Sequence, residues 1–242
     1  MISTRERLIV ALDVSSSADA LKIVSRLGDS VQTYKVGMQL YGAEGPKIVR
    51  DLISTGKSVF LDLKYHDIPN TVAAAVREAA HFGVSMMTVH ASGGSKMLRA
   101  AAEAAQSSSS SPKILAVTVL TSMDENDLHE IGVPGQLLNQ VLKLAGTALG
   151  AGCDGIVSSA HEVRNLRTKF GQNFMAITPG VRPIGAAHGD QARVATPADA
   201  IAAGATYIVL GRPITAAPDP EAAAEGVLRE MENAETVAGR TK

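Results

Sequence analysis

Short apolar runs rich in β-branched residues recur along the chain at a regular spacing. We predict eight strands from these runs, and their starts lie about 28 residues apart, which is the length of one strand–helix unit. The predicted strands cover residues 8–12, 33–36, 58–61, 86–89, 114–120, 155–157, 174–177 and 206–210. The pattern therefore predicts one structural unit repeated eight times.

Segments with helical periodicity separate the predicted strands. In the first of them Leu21, Val24 and Leu27 share one helical face, and Gly28 follows as a helix stop. Four further segments end in the same way, at Gly56, Gly83, Gly152 and Gly171. After residue 233 the apolar periodicity is lost, and we expect this tail to fray.

Strict alternation of apolar strands with amphipathic helices predicts an α/β protein with a parallel sheet covered by helices. Eight units favour a closed (β/α)8 TIM barrel that forms a single domain over residues 1–242. An open doubly wound sheet would show a similar periodicity. However, the first strand is not followed by Gly-x-Gly-x-x-Gly, which a dinucleotide-binding sheet would carry there.

Composition narrows the class of protein further. The chain has 242 residues, 45% of them hydrophobic, with 23 Lys and Arg against 24 Asp and Glu. These values exclude a disordered chain and a strongly basic nucleic-acid-binding protein. Cys153 is the only cysteine, so an intrachain disulfide is impossible, and we interpret it as a buried apolar residue. Without a secretory signal or a membrane-spanning apolar stretch, we expect a cytoplasmic protein with no membrane or nucleic-acid partner.

Charged residues collect where the first three predicted strands end. Catalytic residues of a (β/α)8 barrel lie at the C-terminal ends of its strands. Asp62 and Lys64 are two residues apart, so in an extended chain their side chains point the same way. The ionisable residues in this group are Asp13, Lys35, Asp62, Lys64 and Asp67. One such pair is often a plain salt bridge, but five charges at one rim indicate a functional site.

The end of the last strand carries a candidate phosphate site. Gly211 and Arg212 follow this strand, where the loops of such barrels often bind phosphate through backbone N–H groups and a guanidinium. A surface ion pair is the alternative for Arg212. The loop 182–191 contains two glycines and few apolar residues, and we predict that it is a mobile lid over the phosphate. Whether His90, at the end of the fourth strand, lines the site is left open.

One segment resembles the signature of a known family. Residues 62–71 read Asp-Leu-Lys-Tyr-His-Asp-Ile-Pro-Asn-Thr, which is similar to the Asp-x-Lys-x-x-Asp-Ile-Pro-Asn-Thr signature of orotidine 5'-phosphate decarboxylases. The resemblance extends from the first strand to the last, through residues 11–13, 35–37, 119–122, 178–183 and 209–213. It implies decarboxylation of orotidine 5'-phosphate to UMP and CO2, the final step of de novo pyrimidine nucleotide synthesis, without metal or organic cofactor.

The resemblance also implies roles for individual residues. Lys64 would donate a proton to C6 of the pyrimidine, and Lys35, Asp62 and Asp67 would complete the catalytic charge network. Asp67 and Thr71 would reach into the neighbouring subunit's site in a homodimer. The implied substrate-binding residues are Asp13, Lys35, Asp62, Lys64, Asp67, Ile68, Thr71, Thr121, Ser122, Pro179, Arg182, Gln191, Gly211 and Arg212.

Two other functions remain as alternatives. A Mg-dependent sugar-phosphate decarboxylase or aldolase of the same superfamily shares Asp-x-Lys-x-x-Asp, but it places an acidic metal ligand at the end of strand two, where this chain has Lys35. A noncatalytic sugar-phosphate-binding barrel is the second alternative. Binding a phosphate requires none of Lys35, Asp62, Lys64 and Asp67, so their joint presence argues against it.

Overall fold

Eight parallel strands form a closed barrel in which each strand pairs with its neighbours in chain order. The structure is a computed structural model, and it describes residues 2–183 and 195–239. The strands are β1 (Leu8–Ala11), β2 (Thr33–Gly37), β3 (Ser58–Tyr65), β4 (Met86–His90), β5 (Lys113–Val117), β6 (Gly155–Val157), β7 (Met175–Thr178) and β8 (Tyr207–Leu210). The predicted (β/α)8 barrel is therefore confirmed.

Helices surround the barrel and connect its strands. They are α1 (Ser17–Leu27), α2 (Met38–Glu44), α3 (Lys47–Ser54), α4 (Pro69–His81), α5 (Gly94–Gln106), α6 (Glu125–Glu130), α7 (Leu137–Gly150), α8 (Ala160–Phe170), α9 (Pro197–Ala203), α10 (Arg212–Thr215) and α11 (Pro220–Gly239), with 3-10 turns at Arg5–Arg7 and Ala91–Gly93. Within residues 2–183 and 195–239, no helix combines the length and apolar character needed to cross a membrane.

The glycines predicted to stop helices do so. All five have positive φ, for example +50° at Gly28 and +77° at Gly171. Residues with a Cβ atom rarely adopt this conformation, which is why a glycine after an amphipathic segment is a reliable stop signal.

Two apolar layers hold the barrel. Leu8 and Val10 of β1 belong to the larger layer between strands and helices, whereas Ile9 and Ala11 point into the barrel. The interior layer consists of Ile9, Ala11, Phe60, Met86, Leu115, Ile177 and Val209. Cys153 is buried as predicted, and burial raises the pKa of its thiol to about 12.

Several strand boundaries differ from the prediction by one to four residues, and the C-terminal tail departs from it as well. The fifth strand ends at Val117 rather than at residue 120, because Val117 pairs with Val157, the last residue of the short strand β6. The described part of the tail, residues 234–239, is helical rather than frayed, since α11 continues to Gly239. Glu235 in this part of the helix accepts a hydrogen bond from Thr4 (3.1 Å) and forms an ion pair with Arg7.

Candidate active site

A cavity of about 560 Å³ opens at the C-terminal end of the barrel. Its floor contains interior side chains such as Phe60, Ile177 and Val209, and its rim is polar. The predicted site residues in its wall are Asp13, Lys35, Asp62, Lys64, Thr121, Pro179, Arg182, Gly211 and Arg212. The structure thus brings the charged ends of the first three strands to one cavity with the ends of the last two.

Four charges of alternating sign follow one another along one side of the cavity. Lys35 Nζ lies 2.9 Å from Asp13 Oδ1 and 3.7 Å from Asp62 Oδ2. The other carboxylate oxygen of Asp62, Oδ1, lies 2.9 Å from Lys64 Nζ. Lys35 and Asp62 are only 12% and 14% exposed, whereas Asp13 is 53% exposed and accessible to a ligand. Solvent screens the central pair less than it would at the surface.

The sheet explains why these side chains meet. In β2, Tyr34 and Val36 belong to the buried layer beneath the helices, so Lys35 between them points into the barrel. The pairing of β2 with β1 places Lys35 opposite Ala11, and its pairing with β3 places Gly37 opposite Asp62. The cluster therefore follows from strand register.

Lys64 does not sit in a regular strand, although the prediction treated Asp62 and Lys64 as parts of an extended chain. Its φ is +51°, in the left-handed region that side chains with a Cβ atom disfavour. Asp62 and Lys64 still lie side by side, but an irregularity of β3 between Leu61 and Tyr65 produces this arrangement. Strained backbone of this kind is often found at functional sites.

The strand ends of β7 and β8 supply positive charge to the far side of the cavity. Arg212 lies two residues beyond β8, and Arg182 lies four residues beyond β7. Arg182 is only 8% exposed, and its Nη1 donates to the Val181 carbonyl (2.9 Å). Gln191 and most of the predicted lid, residues 184–191, lie outside the described residues.

Four of the predicted site residues are not among the described residues that line the cavity. Asp67, Ile68 and Thr71 are exposed around the start of α4, and Ser122 lies just beyond Thr121. The Asp67 carboxylate accepts a hydrogen bond from the Ile68 N–H (2.6 Å). The predicted group of five charges is therefore assembled in part, since only Asp13, Lys35, Asp62 and Lys64 line this chain's cavity.

His90 ends β4 and is not among the described residues that line the cavity. Its ring stacks on that of His66 with 5.5 Å between ring centroids, and its Nδ1 lies 2.6 Å from the Ser92 hydroxyl. Burial lowers the pKa of His90, and His66 and Lys64 lower it further. The neutral imidazole is thus favoured next to Lys64.

The sequence interpretation missed three polar residues of the site. Gln39 and Ser158 line the cavity. The Gln39 amide donates to the Ser15 hydroxyl (2.9 Å), and the Ser158 hydroxyl donates to Glu162 (2.9 Å). Thr88 contacts both Asp62 and Lys64. None of the three belongs to a catalytic motif. However, the alternation of side chains along β4 places the polar Thr88 on the inward face of the strand, and this signal could have identified it.

The fold and this cavity define a class of protein. A closed (β/α)8 barrel with alternating acids and lysines on one side of its C-terminal mouth, and two arginines on the other, is a barrel enzyme suited to a small anionic substrate.

Comparison with known proteins gives the family. The model of the "Orotidine 5'-phosphate decarboxylase / HUMPS family" matches residues 6–227. A protein of Afipia carboxidovorans named orotidine 5'-phosphate decarboxylase is 52% identical over 227 residues, covering 94% of this chain and 95% of that protein. A protein of the same name from Halorhodospira halophila is 51% identical over 225 residues, covering 93% and 95%.

A solved structure agrees with these relatives. The crystal structure of orotidine 5'-phosphate decarboxylase from Lactobacillus acidophilus superposes with a TM-score of 0.83 at 40% identity, covering 93% of this chain and 99% of that one. The chain belongs to the orotidine 5'-phosphate decarboxylase family, as its motifs predicted, and it is a carboxy-lyase.

Proposed function

We propose that this enzyme converts orotidine 5'-phosphate to UMP and CO2, and that Lys64 protonates C6 of the pyrimidine. The observation that carries the proposal is the row of alternating charges Asp13, Lys35, Asp62 and Lys64 in one cavity. The family name of the relatives supports the substrate. The Mg-dependent alternative is less well supported, because the Lys35 ammonium lies between two carboxylates at the position in β2 where that mechanism would need a metal ligand.

The chemical step requires a localised positive charge. When the bond from C6 to the carboxylate breaks, its electron pair stays on C6 as an sp2 carbanion that the ring does not delocalise. A preorganised ammonium stabilises such a charge as it develops. The Lys64 Nζ then transfers a proton to C6, and the amine regains a proton from solvent. Asp62, 2.9 Å from Lys64 Nζ, holds the donor in place.

Substrate groups distant from C6 contribute binding energy. We propose that Asp13 and Lys35 bind the ribose hydroxyls, that Thr121 and Ser122 bind the pyrimidine edge, and that Arg182, Gln191, Gly211 and Arg212 bind the phosphate. The cavity position of most of these residues supports the assignment. Enzymes lower barriers by roughly 8 to 23 kcal/mol, and phosphate binding can contribute by organising the charges around the reacting carbon. The lid at 182–191 stays a prediction.

We further propose that the enzyme is a homodimer in which Asp67 and Thr71 complete the partner's site. Both residues are exposed beside the mouth of the cavity rather than in the wall formed by the described residues. Ile68, next to Asp67 in the chain, is 67% exposed, and Met38, which directly follows β2, the strand paired with β3, is 60% exposed. Apolar surface next to an active site is typical of a subunit interface.

The reaction is tested by incubating the purified enzyme with orotidine 5'-phosphate in excess EDTA. We expect the substrate's ultraviolet absorbance to fall and UMP to accumulate at the same rate with and without EDTA. No turnover, or turnover only after Mg2+ is added, would contradict the proposed reaction without metal.

The shared site is tested by subunit exchange. Lys64→Ala chains mixed with Asp67→Asn chains should regain activity, because one of the two sites in a heterodimer is then intact. The matched control mixes Lys64→Ala with Asp62→Asn chains. Since Asp62 and Lys64 meet within one chain, neither site of that heterodimer is complete. Equal activity in the two mixtures would sink the assignment of Asp67 to the partner's site.

A further inference from the structure

Thr88 is a buried hydroxyl next to the charged cluster. It is 1% exposed and lies in β4 two residues after Met86, whose side chain belongs to the interior layer. Because strand side chains alternate between faces, Thr88 also points into the barrel. A polar group buried this deeply is costly unless it forms hydrogen bonds, so its partners are informative.

The first partner is the backbone of Lys64. Leu61 of β3 pairs with Met87 of β4, and the next pair is Tyr65 with Val89. The register therefore shifts here, because β3 advances by four residues while β4 advances by two. Thr88 faces this irregularity. The Lys64 N–H donates to Thr88 Oγ1 (2.8 Å), so a side chain accepts it in place of a strand carbonyl. This hydrogen bond holds the residue whose φ is +51°.

The second partner is the Asp62 carboxylate. Thr88 Oγ1 lies 2.9 Å from Asp62 Oδ1, the same oxygen that contacts Lys64 Nζ at 2.9 Å. The carboxylate can only accept, so the hydroxyl proton must point to Asp62 while the hydroxyl oxygen accepts the Lys64 N–H. Thr88 thereby determines which carboxylate oxygen faces Lys64 and leaves Oδ2 toward Lys35 (3.7 Å).

We propose that Thr88 is a positioning residue that aligns Asp62 and Lys64 for proton transfer, an inference that rests on the proposed role of Lys64. Without the hydroxyl, the Lys64 N–H has no acceptor and the Asp62 carboxylate can rotate. A displacement of the proton donor by about 1 Å from its productive position can lower the rate of the chemical step by about 100-fold. Phosphate binding at the ends of β7 and β8 is not affected, so the effect falls on kcat rather than on binding.

The test compares variants that remove or retain the hydroxyl. Thr88→Val and Thr88→Ala remove it, the first at nearly constant volume and the second without added bulk, and Thr88→Ser retains it. We expect kcat to fall about 10- to 100-fold in both variants without a hydroxyl, since hydrogen bonds to charged groups are strong. UMP affinity should stay close to that of the wild type, and Thr88→Ser should recover most of the lost kcat.

Thr206 provides a matched control at the opposite end of the barrel. Its Oγ1 accepts from the Ala176 N–H (2.9 Å) and from the Arg167 guanidinium (3.0 Å), so it also joins a strand backbone to a charged side chain. Thr206→Val should lower the melting temperature and leave kcat unchanged.

Three results would overturn the role of Thr88. They are wild-type kcat in the variants without a hydroxyl, an equal loss in Thr88→Ser, and an equal loss in Thr206→Val. An inactive wild-type enzyme would instead overturn the proposed function itself, so the two failures are distinguishable.

Discussion

Replacing Gly37 by alanine should damage catalysis without damaging the fold. Gly37 ends β2, two residues after Lys35, and its φ of −97° and ψ of −176° are open to any residue with a Cβ atom. A Cβ atom at this position would lie 2.8 Å from Lys35 Nζ and 3.3 Å from Asp13 Oδ1. The added methyl group therefore meets the charged site and leaves the backbone unstrained.

The size of the effect follows from these distances. Ordinary contacts with a Cβ atom begin at 3.4 Å, so the Lys35 ammonium must retreat by about 0.6 Å. That ammonium now lies between Asp13 at 2.9 Å and Asp62 at 3.7 Å, and the retreat disturbs both contacts. A displacement of about 1 Å at a reacting centre can cost about 100-fold in rate. We expect kcat/KM to fall roughly 10- to 100-fold, with a change in unfolding free energy within about 1 kcal/mol.

The assay measures initial rates of UMP formation alongside urea unfolding. Gly42→Ala is the matched control, because Gly42 lies in α2 with open space around its position for a Cβ atom. This control should gain about 0.5 to 1 kcal/mol of stability and keep its activity. A kcat/KM of Gly37→Ala within about twofold of wild type, or an equal loss in Gly42→Ala, would refute the reasoning.

Three further predictions concern single side chains. Lys64→Ala should lower kcat by several orders of magnitude while UMP binding stays measurable by calorimetry, and normal turnover would contradict the role of Lys64 as proton donor. The Cys153 thiol should react slowly with a disulfide reagent in the folded enzyme and rapidly in urea, because burial raises its pKa to about 12; equal rates would show that it is accessible. The pKa of His90 is lowered, so the stability conferred by its neutral ring is present above its unfolded pKa and lost as the pH falls below about 6.5. His90→Asn should therefore lose less urea stability than wild type between about pH 7 and pH 5, and an identical or larger loss would show that His90 does not contribute.

The barrel could be predicted because the signals for its elements are local. Leu8 and Val10 alternate with Ile9 and Ala11 between two apolar layers, so β1 reads as a continuous apolar run. The predicted boundaries were wrong where contacts with residues distant in the chain determine where an element ends. The end of β5 depends on the length of its partner β6. The last turns of α11 contact Thr4 and Arg7, more than two hundred residues away in the chain, so apolar periodicity alone could not reveal them.

The candidate site divides in the same way. Charged residues at strand ends were identified from sequence alone, because parallel strands of a barrel bring their C-terminal ends to one rim. Only the tertiary structure decided the order Asp13, Lys35, Asp62, Lys64, and which oxygen of Asp62 faces which lysine. It also decided that Lys64 adopts a left-handed conformation opposite Thr88. The physical reason is that residue type and spacing determine which groups reach the rim, whereas contacts of 3 to 4 Å depend on the register between strands.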